Sequence, residues 1–281
     1  MKVIFIGGLT NGKIVYDYLK SNKFVELVQT ITYKDDYQGA RFVTFDNSEN
    51  IIKSGTVKGY ESKIADLKPD VIFVAGWSEL IPNEILKIPP MGVIGFHPAK
   101  LPNDRGRSVL AWQIEDGYTE TALTMFKYSD YPDGGNILAQ EMVKIEEKDY
   151  INDILDKIDG ATFNIMKAYF PLFRQNLIKE KVQDLSEGNF RRLRVKKDSI
   201  INWDDTCSNI YNKIRAISKP YPGAITEFEG KEIIVWRAYK MYEFSFGKEL
   251  DNGKLVCKLY DNSLIVKCSD GYIRITEYEE N

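Results

Sequence analysis

His97 is the only histidine in this chain of 281 residues, and it lies in the stretch GFHPAKLPNDRGR, Gly95 to Arg107. Imidazole is the side chain whose ordinary pKa falls nearest neutrality. A reaction that moves a proton near pH 7 therefore points first to His97. Asp133 follows within YPDGGN. A carboxylate beside an imidazole orients it and stabilises its charged form, which suits general acid–base work. Pro98 restricts His97 to extended backbone, so its side chain leaves the chain in one direction. Pro102 and Gly106 stiffen the loop beyond it. Arg105 and Arg107 add fixed cations suited to carboxylate or phosphate ligands. Taken singly, each residue has a plainer reading: a satisfied buried imidazole, solvated loop arginines, and an Asp before Gly-Gly as turn chemistry.

The segments that must position these residues alternate between strand and helix. Val3 to Ile6 is a continuous apolar run, as in a parallel strand covered on both faces. A helix follows over Lys13 to Leu19, then a strand over Val25 to Tyr33. A short helix at Ile64 to Leu67 precedes strands at Val71 to Ala75 and Gly92 to Phe96. Ser108 to Asp116 reads as a helix, Ala122 to Tyr128 and Ile137 to Ile145 as strands, and residues 151–175 as a long helix. This pattern predicts an α/β fold, a doubly wound and mostly parallel sheet, over residues 1–188. In such sheets ligands bind beyond the carboxyl ends of the strands. His97, Glu79 and Asp133 each follow a strand end and are expected to converge there. The Gly7-Gly8-Leu9-Thr10-Asn11-Gly12 loop lacks G-x-G-x-x-G spacing and reads as a tight strand-to-helix turn, with a phosphate contact left open.

Residues 189–204 are polar and basic, with Arg191, Arg192, Arg194, Lys196 and Lys197, and read as a linker. Residues 205–281 form a second domain in this reading. A helix over Ser208 to Ser218 leads into five short strands: Ala224 to Phe228, Glu232 to Trp236, Lys254 to Leu259, Leu264 to Cys268 and Tyr272 to Tyr278. Turns are expected at Glu229-Gly230, Asp251-Asn252-Gly253, Asp261-Asn262 and Asp270-Gly271. Five strands at that spacing suggest a small OB-like β-barrel.

A net charge of −3 argues against nucleic-acid binding driven by charge. Cys207, Cys257 and Cys268 show neither metal-ligand spacing nor a disulfide framework, so no metal is expected. The N-terminus lacks a signal-peptide pattern, and no apolar run is long enough to span a bilayer. The expected setting is cytoplasmic, with no membrane partner.

Together, HPAKLPNDRGR, YPDGGNILAQ, DVIFVAGWSELIPNEIL and INWDDTCSNIYNKIRAISKPYPGA resemble the folate-dependent formyltransferase family, from Met1 to about Lys240. Within it, the likeness is greatest to sugar-nucleotide N-formyltransferases, including the domain that modifies UDP-4-amino-4-deoxy-arabinose. The resemblance implies a Rossmann-like catalytic domain and N10-formyltetrahydrofolate as co-substrate. It implies an amino sugar on UDP or dTDP as acceptor, a homodimer, and a place in lipopolysaccharide or O-antigen biosynthesis. His97 and Asp133 are then catalytic. Glu79, Leu80 and Ile81 would flank the folate, with Arg107 beside the cofactor or the substrate. Ser129, Asp130, Tyr131 and Pro132 would form the other wall. Gly8, Thr10, Trp77 and Arg105 are candidates for the sugar nucleotide.

One position departs from the family. The asparagine two residues before the histidine, credited with holding the oxyanion, is Gly95 here. A backbone N–H, a water or protonated His97 would have to substitute, and placing Asn at 95 is expected to be tolerated if an oxyanion donor is merely absent. The alternatives are methionyl-tRNA formyltransferase, formyl-folate hydrolase, and a folate- or nucleotide-binding module without catalysis. The C-terminal aromatic residues Trp236, Tyr239, Tyr242, Phe244 and Phe246 are read either as core or as a dimer surface.

Overall fold

The computed structural model describes every residue except Asn47, Glu49, Glu229 and Asn281. The turn expected at Glu229-Gly230 lies partly outside the described residues. The elements in chain order are β1 (Lys2–Gly7), α1 (Thr10–Ser21), β2 (Glu26–Thr32), β3 (Ile51–Lys53), α2 (Glu61–Asp66), β4 (Val71–Ala75), α3 (Asn83–Leu86), β5 (Val93–His97), β6 (Arg105–Gly106) and α4 (Val109–Glu115). They continue with β7 (Glu120–Lys127), β8 (Ile137–Lys144), α5 (Ile151–Arg174), β9 (Phe190–Arg191), a 3₁₀ turn at Lys196–Ser199 and α6 (Cys207–Ile217). The last strands are β10 (Ala224–Phe228), β11 (Lys231–Met241), β12 (Leu255–Lys258), β13 (Leu264–Cys268) and β14 (Gly271–Glu280).

Seven strands form one sheet in the order β3-β2-β1-β4-β5-β7-β8. The run from β3 to β5 is parallel, and β7 lies antiparallel to β5. Side chains alternate across it, as a strand's two-residue period requires. Ile4, Ile6, Ile72 and Val74 cluster with Ile64 of α2 and Ile85 of α3. On the other face, the Phe5 ring lies 5.8 Å from Tyr16 of α1. There Phe73 meets Phe170 and Phe173 of α5 at 5.9 and 5.8 Å. Helices thus cover both faces, which is why β4 and the buried part of β1 from Val3 to Ile6 are apolar. The chain reverses its winding between β1 and β4, where open α/β sheets place their ligand crevice.

The Gly7–Gly12 loop is explained by close approach. A Cβ on Gly7 or Gly12 would stand 1.9 or 2.3 Å from the Ala75 carbonyl oxygen. A Cβ on Gly8 would meet the Tyr33 ring at 2.5 Å.

The chain divides into two compact units that are not continuous in sequence. One comprises Met1–Gly106, Thr121–Val143 and Asp156–Arg191; the other comprises Arg107–Glu120, Lys144–Leu155 and Arg192–Asn281. In the second, the five expected strands form an antiparallel sheet, β10-β11-β14-β13-β12. Among the described residues no ladder joins β10 to β12. In the same unit α4 packs on α6, and the Tyr150 hydroxyl donates to the Ala238 carbonyl at 3.0 Å. The basic stretch is ion-paired. Arg192 binds Asp198 through two contacts of 2.7 and 2.6 Å and holds that carboxyl well below its ordinary range. Arg194 reaches Glu115 and lies over the Trp112 ring at 4.1 Å, and Lys196 meets Glu232 at 3.2 Å.

The three cysteines are not all apart in space. Cys207 and Cys268 are buried with their sulfurs 3.1 Å apart, and Asp270 accepts from the Cys207 amide at 2.7 Å. Burial raises both thiols, which keeps them protonated. No helix among the described residues is long and apolar enough to cross a membrane.

Candidate active site

His97 is the last residue of β5, buried, and paired in register with Thr124 of β7. Its Nε2 lies 2.7 Å from the carbonyl oxygen of Asp104. A carbonyl only accepts, so Nε2 carries a proton and donates it there. In the neutral ring the lone pair is therefore left on Nδ1. It faces Oδ1 of Asp133 at 3.8 Å. Asp133 is fixed through its other oxygen, which accepts from the Gly106 amide at 2.8 Å. A base with a free lone pair thus stands beside a carboxylate placed to stabilise it once charged.

The loop that holds His97 is itself held from a distant part of the chain. Asn189 Oδ1 accepts from the Asp104 amide at 2.7 Å, and Asn189 Nδ2 donates to the Asp104 carboxylate at 2.9 Å. Arg191 Nε donates to the same carboxylate at 2.6 Å. The two-residue strands β6 and β9 pair alongside. Gln183 Nε2 donates to the carbonyls of Asp133 and Gly135 at 2.8 and 2.6 Å. Asp104 lies in the quoted HPAKLPNDRGR motif and Arg191 in the basic stretch, but nothing local shows that they meet, nor marks Gln183 and Asn189, because these contacts span from about fifty to nearly ninety residues of chain.

Gly106 has a φ of +100°, and a Cβ there would stand 2.2 Å from the Arg191 carbonyl oxygen. Its amide is also the anchor of Asp133. Gly106→Ala is expected to cost about 1–3 kcal/mol in backbone strain, with further loss from the clash. A fall in the urea midpoint would register this, and turnover is expected to fall with it as Asp133 loses its anchor.

The other expected site residues lie in three groups. Trp77, Glu79, Leu80 and Ile81 follow β4; Leu80 is 73% exposed, whereas Ile81 is buried in the sheet core. Trp77 stacks on Tyr33 at 4.5 Å, Tyr33 on Tyr37 at 3.9 Å, and the buried Trp77 Nε1 has no partner among the described residues. Ser129, Asp130, Tyr131 and Pro132 precede Asp133 in a turn closed by the Ser129 hydroxyl, which donates to the Tyr131 carbonyl at 3.0 Å. Tyr131 is 55% exposed, and Arg107 is exposed as well. Thr10 and Arg105 make contacts within the protein, while Arg105 Nε and Nη1 are buried with no partner among the described residues. Thr10 bonds Asp159, whose carboxyl burial pushes upward. Arg105 is buried, with Nη2 donating to the carbonyls of Leu185 and Glu187 at 3.3 and 3.2 Å.

Gly95 is closely covered by Tyr128. A Cβ there would stand 2.5 Å from Cε2 and 3.1 Å from Cζ of the Tyr128 ring, so an Asn at 95 would require that ring to shift. The tyrosine ring fills the space that a side chain at 95 would take.

Residues 1–168 match the formyl transferase family model, and residues 194–281 match its C-terminal domain. The chain belongs to the formyl transferase family. It is 34% identical over 212 residues to the bifunctional polymyxin resistance protein ArnA of Wigglesworthia glossinidia brevipalpis. That match takes in 75% of this chain but only 31% of ArnA. It is 30% identical over 217 residues to methionyl-tRNA formyltransferase of Bacillus mycoides, 77% of this chain and 68% of that enzyme. In fold it resembles the N-formyltransferase of Helicobacter canadensis, solved with folinic acid and dTDP-3-aminofucose. There the TM-score is 0.72 at 18% identity, over 99% of this chain and 100% of the other.

Proposed function

We propose that this family member transfers a formyl group from N10-formyltetrahydrofolate to the amino group of a nucleotide-linked amino sugar. The observation that carries the chemistry is the orientation of His97, with Nε2 committed to the Asp104 carbonyl and Nδ1 open beside Asp133. The residues fit a folate donor. Leu80 and Tyr131 leave large apolar surfaces exposed on the two loops assigned to the folate. Unpartnered Trp77 Nε1 adds a buried donor beside the first of them. The dTDP-sugar and ArnA relatives favour the sugar acceptor. The paired state of Arg191, Arg192, Arg194 and Lys196 leaves those cations poorly suited to a tRNA backbone.

In this reading the neutral acceptor amine adds to the formyl carbon, and the carbonyl π pair moves onto oxygen. His97 Nδ1 takes the proton the nitrogen loses, and Asp133 stabilises the imidazolium. When the intermediate collapses, the oxygen pair re-forms the carbonyl. The bond to N10 breaks, and His97 returns its proton to that nitrogen. The products are the sugar formamide and tetrahydrofolate, and no protein nucleophile is needed.

The test is formyl transfer by the full chain to a panel of UDP- and dTDP-linked amino sugars, initiator methionyl-tRNA and water. Formamide on a sugar nucleotide is the expected product. Transfer confined to methionyl-tRNA, or formate release alone, would replace this acceptor by one of those two.

A further inference from the structure

Addition to the formyl carbon puts negative charge on the formyl oxygen, and that charge needs a donor aimed at it in place before reaction. His97 Nδ1 is occupied with the amine proton, and Nε2 with the Asp104 carbonyl. Position 95, on the same face of β5 two residues upstream, has no side chain. Two residues along a strand span about 7 Å. That places position 95 close to the reacting atoms.

Tyr128 occupies this place. Its amide donates to the Val93 carbonyl at 2.8 Å, continuing the β5–β7 pairing, in which Gly95 lies opposite Phe126. Phe126 and Tyr128 therefore share the face of Gly95 and His97. The Tyr128 ring lies over Gly95, with hydroxyl-bearing Cζ 3.1 Å from where a Cβ would be. Phe126 supports it at 5.2 Å. Its hydroxyl has no hydrogen-bond partner among the described residues. Burial, and then the charge of Asp133, raise its pKa, so it remains a protonated donor at neutral pH.

We propose that the Tyr128 hydroxyl is the oxyanion donor of this enzyme, hydrogen-bonding the formyl oxygen as the tetrahedral intermediate forms. The proposal rests on the formyl-transfer reading above but not on the identity of the acceptor. Gly95 is then the complement of Tyr128: the strand gives up a side chain so that the phenol can reach across.

The experiment compares wild type with Tyr128→Phe, which keeps the ring and its packing. Against whichever acceptor wild type uses, kcat is expected to fall about 100- to 1000-fold. A donor acting only in the transition state leaves KM and folate Kd within about threefold. Tyr128→Ala is expected to be as slow, and adding Gly95→Asn to it, where the ring no longer obstructs, is expected to recover about tenfold or more. If wild type formylates an amino sugar and Tyr128→Phe does so at a similar rate, the oxyanion role is wrong and the functional reading stands. If wild type transfers only to water or methionyl-tRNA and Tyr128→Phe is slow, the role stands and the acceptor is wrong. If wild type transfers formyl to no acceptor, both are overturned.

Discussion

Alanine at position 97 is expected to lower kcat on the order of 1000-fold, the scale set by one well-placed general acid–base group. That corresponds to about 4 kcal/mol of transition-state stabilisation. The loss belongs to both half-steps, because the same Nδ1 takes the amine proton and returns it to N10. Folate binding is expected to change little, since the loops assigned to it lie after β4 and before Asp133. Single-turnover kinetics at saturating folate would separate the two effects. His97→Gln keeps a donor for the Asp104 carbonyl without a titratable base, and is expected to be as slow as alanine. Activity retained by either variant would remove His97 from the proton path.

Asp133→Asn is expected to slow the reaction about 100- to 1000-fold. The amide oxygen can still accept from Gly106, so the loop should hold its shape. The amide nitrogen then faces Nδ1 of His97 and donates to the lone pair that ought to accept the amine proton. Charge stabilisation is lost and the base is blocked at the same time. Near-normal kcat in Asp133→Asn, with folding confirmed by circular dichroism, would confine Asp133 to a structural role.

The fold was legible where one physical constraint acted alone. β1, β4 and β5 stand out because a parallel strand between two helical layers must be apolar throughout. The α5 pattern stands out because one stripe of a long helix faces the sheet. The missed elements, β3, α3, β6 and β9, are two to four residues long and have no room to show a period. Site legibility followed the same rule. His97 and Asp133 stand out by residue type and by the motifs around them, and the structure brings them to 3.8 Å of one another. Tyr128 looked like the end of a strand, and only its ring lying over Gly95, where a side chain is absent, gives it a purpose. The clamp that joins Asp104 to Asn189 and Arg191 was invisible because nothing local announces a contact made so far along the chain. The close approach of Cys207 to Cys268 was hidden for the same reason.

The loop that fixes His97 ends at Gly106, and the next residue begins a segment of the other unit. That segment contains α4, whose packing partner α6 ends at residue 217. During synthesis α4 therefore leaves the ribosome about a hundred residues before the helix it rests on. Asn189 and Arg191, which hold Asp104 and through it His97, also arrive late. A nascent chain cut at residue 188, where composition places the boundary, would carry His97 without these clamps. The order of translation thus leaves the candidate site without its clamps until most of the protein exists.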